Sequence, residues 1–72
     1  MADIVIHVHP DLSVEERTKL EEGLREYDGV VSIHFNPERA HLLTAVYDPD
    51  VTSSTDILTH IGKRGVEATK IG

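Results

Sequence analysis

The 72-residue sequence has no cysteine and no tryptophan, and its only aromatic carbocycles are Tyr27, Phe35 and Tyr47. Without cysteine there is neither a disulfide nor a thiolate metal site to add stability. The only sulfur is that of Met1. Soft Cu(I) selects thiolate or thioether ligands, so a thiolate copper(I) mechanism is excluded. Aliphatic packing must supply nearly all of the stability, in a chain short enough to bury only ~60% of the surface it exposes when unfolded. Basic residues are also scarce, seven Lys and Arg against thirteen Asp and Glu, for a formal charge of −6. Neutralising phosphates needs a clustered basic face. Here Arg17, Lys19 and Arg25 are interleaved with Glu15, Glu16, Glu21, Glu22 and Glu26. Nucleic acid is therefore not an expected partner, whereas a basic protein or cations would suit the acidic surface. No apolar run approaches the ~20 residues of a membrane span. Nor does the N-terminus read as a basic segment followed by an apolar one. The expectation is a cytoplasmic chain with no membrane association.

What is present is a regular alternation of short elements. Residues 3 to 9 alternate, with Ile4, Ile6 and Val8 on one face and Val5, His7 and His9 on the other, the period of a strand. Pro10, which has no N–H for a ladder, ends it. Ser13 followed by Glu16 reads as a capping box, with Leu20, Leu24 and Tyr27 at helical spacing behind it. Gly23 inside that helix is unfavourable by ~1 kcal/mol against alanine, which suggests a helix lying close on a sheet. Asp28-Gly29 ends the helix. Residues 30 to 36 form a second strand, with Val31, Ile33 and Phe35 expected on one face and Val30, Ser32 and His34 on the other. Asn36-Pro37-Glu38-Arg39 turns the chain into a third strand over residues 40 to 47, with Leu43, Ala45 and Tyr47 sharing a face. Ser53 and Asp56 offer a second cap, before the Ile57, Leu58 and Ile61 stripe of a second helix. Val66 to Ile71 completes the chain as a short strand.

The order βαββαβ predicts an α+β fold over one domain, residues 1 to 72. It is a ferredoxin-like sandwich with a four-stranded antiparallel sheet ordered β4-β1-β3-β2 and both helices on one face. That fold carries many unrelated functions. The residues add more. Leu20-Glu21-Glu22-Gly23-Leu24 followed by Gly29-Val30, then Leu43-Thr44-Ala45-Val46-Tyr47-Asp48-Pro49, then Ile57, Ile61 and Gly65-Val66, stand at matching spacings without gaps. In this the chain resembles heavy-metal-associated (HMA) domains over nearly its full length. The resemblance implies metal trafficking, but the metal loop departs from it. Ser13 and Glu16 stand where the family's two cysteines would fall, and Pro10 and Asp11 replace its glycine and methionine.

Two site hypotheses follow. His7 and His9 share one strand face, and Asp11 in the next loop and His34 on the second strand are candidates to complete a site for Zn(II), Ni(II) or Cu(II). With β1 and β2 separated by one strand, His7 and His34 would stand ~10 Å apart and meet only across Thr44. Such a site would weaken as pH falls through about 6.5, where free imidazole takes up a proton. The plainer alternative is separate histidines on an uncovered face. His41 and His60 receive no role. The second hypothesis is an interaction face on the open side of the sheet, carrying Val5, Leu42, Thr44 and Val46 with Ser32 and the histidines, and suited to a protein partner or a second copy of the chain. Asp11, Glu15 and Glu16 form an acidic loop that Lys63 and Arg64 would adjoin. No nucleophile stands beside a base, and no glycine loop cradles phosphate, so an enzyme is not expected. A binding module for docking or regulation, lacking thiolate ligands, is the leading expectation. Capture of a divalent transition metal by histidine and carboxylate is the alternative.

Overall fold

The alternating and 3.6-residue patterns fold as the ferredoxin-like sandwich. The computed structural model describes residues 1–9 and 12–72. Its elements are β1 (Ala2–His9), α1 (Val14–Arg25), β2 (Val30–Phe35), β3 (Leu42–Tyr47), α2 (Ser54–Gly62) and β4 (Glu67–Lys70), in a sheet ordered β2-β3-β1-β4. All three pairings are antiparallel. Because side chains alternate across a strand, Ile4, Ile6 and Val8 enter the core while Val5 and His7 stay half-buried on the other face. Leu20 and Leu24 of α1 and Ile57 and Ile61 of α2 join them in a single core with Ile33, Leu43 and Ala45. One face of the sheet is thus covered by both helices and the other is left open.

Local chemistry sets the element ends. The Ser13 hydroxyl accepts from the Glu16 amide at 3.2 Å, and the Glu16 carboxylate accepts from the Ser13 amide at 3.0 Å. These bonds satisfy donors that the first turn of α1 leaves unpaired. Ser53 accepts from the Asp56 amide at 3.1 Å and caps α2. Gly29 turns the chain into β2 at φ +94°, a region closed to most L side chains, and an added Cβ would also press on Thr52 Cγ2 at 2.8 Å. α1 is tied to the outer edge of β2 by polar contacts: Arg25 donates to the Ile33 carbonyl at 3.2 Å, and Glu21 accepts from the Phe35 amide at 3.3 Å. These bonds occupy backbone groups of an edge strand that would otherwise face solvent.

The structure differs from the sequence expectation at four places. β2 bulges between Val30 and Ser32, so Val30 packs on the core and Val31 is exposed, the reverse of the expected assignment. One extra residue in a strand exchanges the faces of whatever precedes it. Tyr27 lies beyond the end of α1 and stacks on His60, ring centres 4.4 Å apart. Gly23 does not admit the sheet. A Cβ there would overlap the guanidinium of Arg64, which follows α2. Finally, β2, β3 and β4 are shorter than expected, although ladder bonds continue past β4, from Ile71 to the Val5 carbonyl and from Val5 to the Gly72 carbonyl. The expected role of Pro10 lies outside the described residues.

Candidate functional site

One end of the sandwich gathers the connections that follow β1, β2 and α2, together with the chain entering β3. There, beside the N-terminus of α1, lies a cleft of about 220 Å³ lined by Leu12, Glu16, Lys19, Leu20, Arg64 and Val66. Leu12 and Leu20 are buried and form its apolar floor. Glu16 is held by the capping box, and its carboxyl is kept below the usual glutamate value chiefly by the Ser13 backbone N–H, then by the Ser13 hydroxyl. A charged carboxylate accepting N–H and O–H groups is favoured over the neutral acid. Lys19 and Arg64 are exposed on the rim, and among the described residues neither forms a salt bridge. Gly23 leaves the space over which the Arg64 guanidinium lies. The cleft therefore pairs an apolar floor with two cations and the Glu16 carboxylate, on a chain whose overall charge is negative.

The same end tests the metal expectation. Ser13 and Glu16, which the sequence resemblance sets where heavy-metal-associated domains carry their cysteines, are engaged with each other in the helix cap and offer only oxygen. The chain contains no cysteine. These residues do not fit a soft metal ion.

The histidines distribute differently from the sequence reading. His7 lies on β1 opposite Leu42 of β3 and Thr69 of β4, and His9 lies opposite Glu67. His34 lies opposite Thr44, but Thr44 lies opposite Val5, not His7. His34 is therefore two strands away, about 10 Å at 4.8 Å per strand, and a further two residues along. It does not join His7. Asp11 lies outside the described residues. Among the described residues no three His, Cys, Asp or Glu side chains gather as a metal-binding group. The residue that does meet His7 is His41, whose ring centre is 5.1 Å away. Sequence alternation counted from Leu43 assigns His41 to the covered face. In fact it precedes β3 in a turn, and its carbonyl accepts from the Val8 amide at 2.9 Å. The signal lay in the turn residues before it, which free His41 from the parity of β3.

Val5, Leu42, Thr44 and Val46 are all half-buried on the open face, interspersed with Ser32, which is half-buried, and His34, which is exposed. No helix of the described residues is long and apolar enough to cross a membrane.

Comparison with known proteins decides the fold. A copper binding domain from HMA7, a P-type ATPase, superposes with a TM-score of 0.90 at 22% identity, covering 100% of this chain and 96% of that one. The chain has the fold of heavy-metal-associated domains. The CopZ metallochaperone matches with a TM-score of 0.82 at 19% identity, over 94% of this chain and 100% of that chain. Oxidized MerP from Ralstonia metallidurans CH34 matches with a TM-score of 0.86 at 11% identity, over 99% and 97%. At these identities the likeness to the HMA structures is one of fold alone. No family model matches the chain, and no curated protein matches it.

Proposed function

We propose that the chain is a non-catalytic, HMA-like binding module that docks a protein partner at the loop end of the fold. The observation that carries this is the cleft itself: Leu12, Leu20 and Val66 offer an apolar seat, flanked by Lys19 and Arg64. An apolar side chain next to a carboxylate on a partner would fill the seat and meet the cations. Such an anchor buried in a pocket supplies most of the affinity of a protein contact, and the rim charges orient it. The cleft's one carboxylate, Glu16, is engaged in the helix cap rather than poised for proton transfer, which favours a binding role over an enzyme. The similar structures include a metallochaperone and a copper-ATPase domain, so a protein of the metal-handling machinery is the class of partner this reading favours. The chain would act there through surface contacts, with no thiolate ligand.

Short peptides carrying a leucine or phenylalanine beside an aspartate, titrated into the 15N-labelled chain, test the reading. Amide shifts should concentrate at Leu12, Leu20 and Val66. Charge reversal at Lys19 and Arg64 should weaken the binding about tenfold, mostly in the salt-sensitive part. Shifts confined to Val5, Leu42, Thr44 and Val46 would instead move the docking surface to the open sheet face, and an unresponsive cleft would sink the proposal.

A further inference from the structure

At the same end of the molecule, on the opposite face of the sheet from the core, His7 and His41 stand ring to ring. Their centres are 5.1 Å apart and their planes meet at 61°. We propose that this cross-strand pair is a divalent-metal site, best matched to Zn(II), and separate from the helix-cap positions of the fold's thiolate loop.

The separation carries the argument. With Zn–N near 2.0–2.1 Å and a ring nitrogen about 1.1 Å from its ring centre, a shared ion would lie about 3.2 Å from each centre; a tetrahedral angle then places the two centres about 5.2 Å apart, and a right angle only about 4.5 Å. The observed 5.1 Å matches the tetrahedral value, and it also lies in the ordinary range of an edge-on ring pair.

The backbone holds both residues side by side before any ion arrives. His7 sits within the β1–β3 and β1–β4 ladders, opposite Leu42 and Thr69. The His41 carbonyl is bonded to the amide of Val8, the residue next to His7. Two ligands fixed on paired strands lose little freedom on chelation. Both residues are half-buried, so neither is sealed off from an ion in solution. Imidazole suits zinc, and a formal charge of −6 favours cation capture generally. No third ligand joins the pair among the described residues, so water completes the shell and the ion exchanges rather than being locked in.

The site is independent of the docking cleft, so either may fail without the other. Zinc chloride titrated into the full chain at neutral pH, read by imidazole and amide NMR, is the test. The His7 and His41 ring signals should move together and saturate with one equivalent bound. H7Q and H41Q should each lower the affinity at least tenfold, while H9Q and H34Q leave it within about twofold. The amide spectrum of each variant reports whether it folds; should H7Q unfold, H41Q alone decides. Unmoved His7 and His41 signals in tenfold zinc excess would mean that the rings form an edge-on aromatic pair only, and the proposal falls. Binding that survives H41Q but is lost in H9Q would move the ion to the neighbouring β1 histidines and equally overturn it.

Discussion

Replacing Gly23 by alanine sets two effects of known sign against each other. In a helix interior alanine is favoured over glycine by about 0.8–1.0 kcal/mol, partly because it restricts the unfolded chain. Against this, the new Cβ would occupy the space of the Arg64 guanidinium. The obstacle is the far end of a flexible side chain, exposed and outside any salt bridge among the described residues. Arg64 can swing into water, losing some packing of its stem. The propensity term wins, and G23A should stabilise the domain by about 0.5 kcal/mol. For a chain of this size that is a rise of about 2–4 °C in Tm. Urea unfolding followed by helical circular dichroism should show a higher midpoint with an unchanged slope. In an R64A background the obstacle is gone, so the same substitution should gain nearer 1 kcal/mol, and the difference measures the Gly23–Arg64 coupling. A loss of more than about 1 kcal/mol in G23A, persisting in the R64A background, would refute the reasoning. It would mean that Gly23 is required by backbone packing rather than by Arg64.

The helix cap yields three further predictions. S13A removes the acceptor of the Glu16 amide and should destabilise the fold by about 1 kcal/mol in thermal or urea unfolding. The same cap lowers the Glu16 carboxyl below its ordinary 4.5. Its stabilising contribution is therefore full above that value and is lost as pH falls through the lowered folded value; E16Q should flatten this part of the acid limb, and an unchanged acid profile would count against the box. The third prediction is a gain of function. In S13C/E16C, two thiols take the N-cap and third positions of α1, where the helix N-terminus favours thiolates. The variant should bind Cu(I) in a competition assay where the parent chain does not. Failure in a folded, reduced variant would show that the loop no longer has the geometry of a soft-metal grip.

Much of this arrangement was legible in the residues. Alternation in Ile4, Ile6 and Val8 and the 3.6-residue spacing of Leu20 with Leu24 and of Ile57 with Ile61 report faces directly, because each element buries one side. Ser13 with Glu16 forms a contact three residues long, which needs no knowledge of the rest of the chain. The strand order followed from the same local patterns plus the handedness of crossovers. The site was less legible. His34 was a candidate because the face it shares with His7 was readable, but the register was not, and register decides which row of β3 stands between them. A single bulge residue near Val31 undid the parity of its strand for the same reason.

The sequence by itself therefore determined the element order, the covered face of the sheet, the capped helix starts and the absence of any thiolate ligand. These depend on side-chain chemistry and on neighbours within one turn or one strand. Tertiary structure alone decided that His7 meets His41 rather than His34, that Gly23 makes room for Arg64, and that Leu12, Leu20 and Val66 close around one cleft. Each of those is a meeting of residues far apart in the chain, fixed by strand register and helix docking, and no local periodicity encodes a distance between elements.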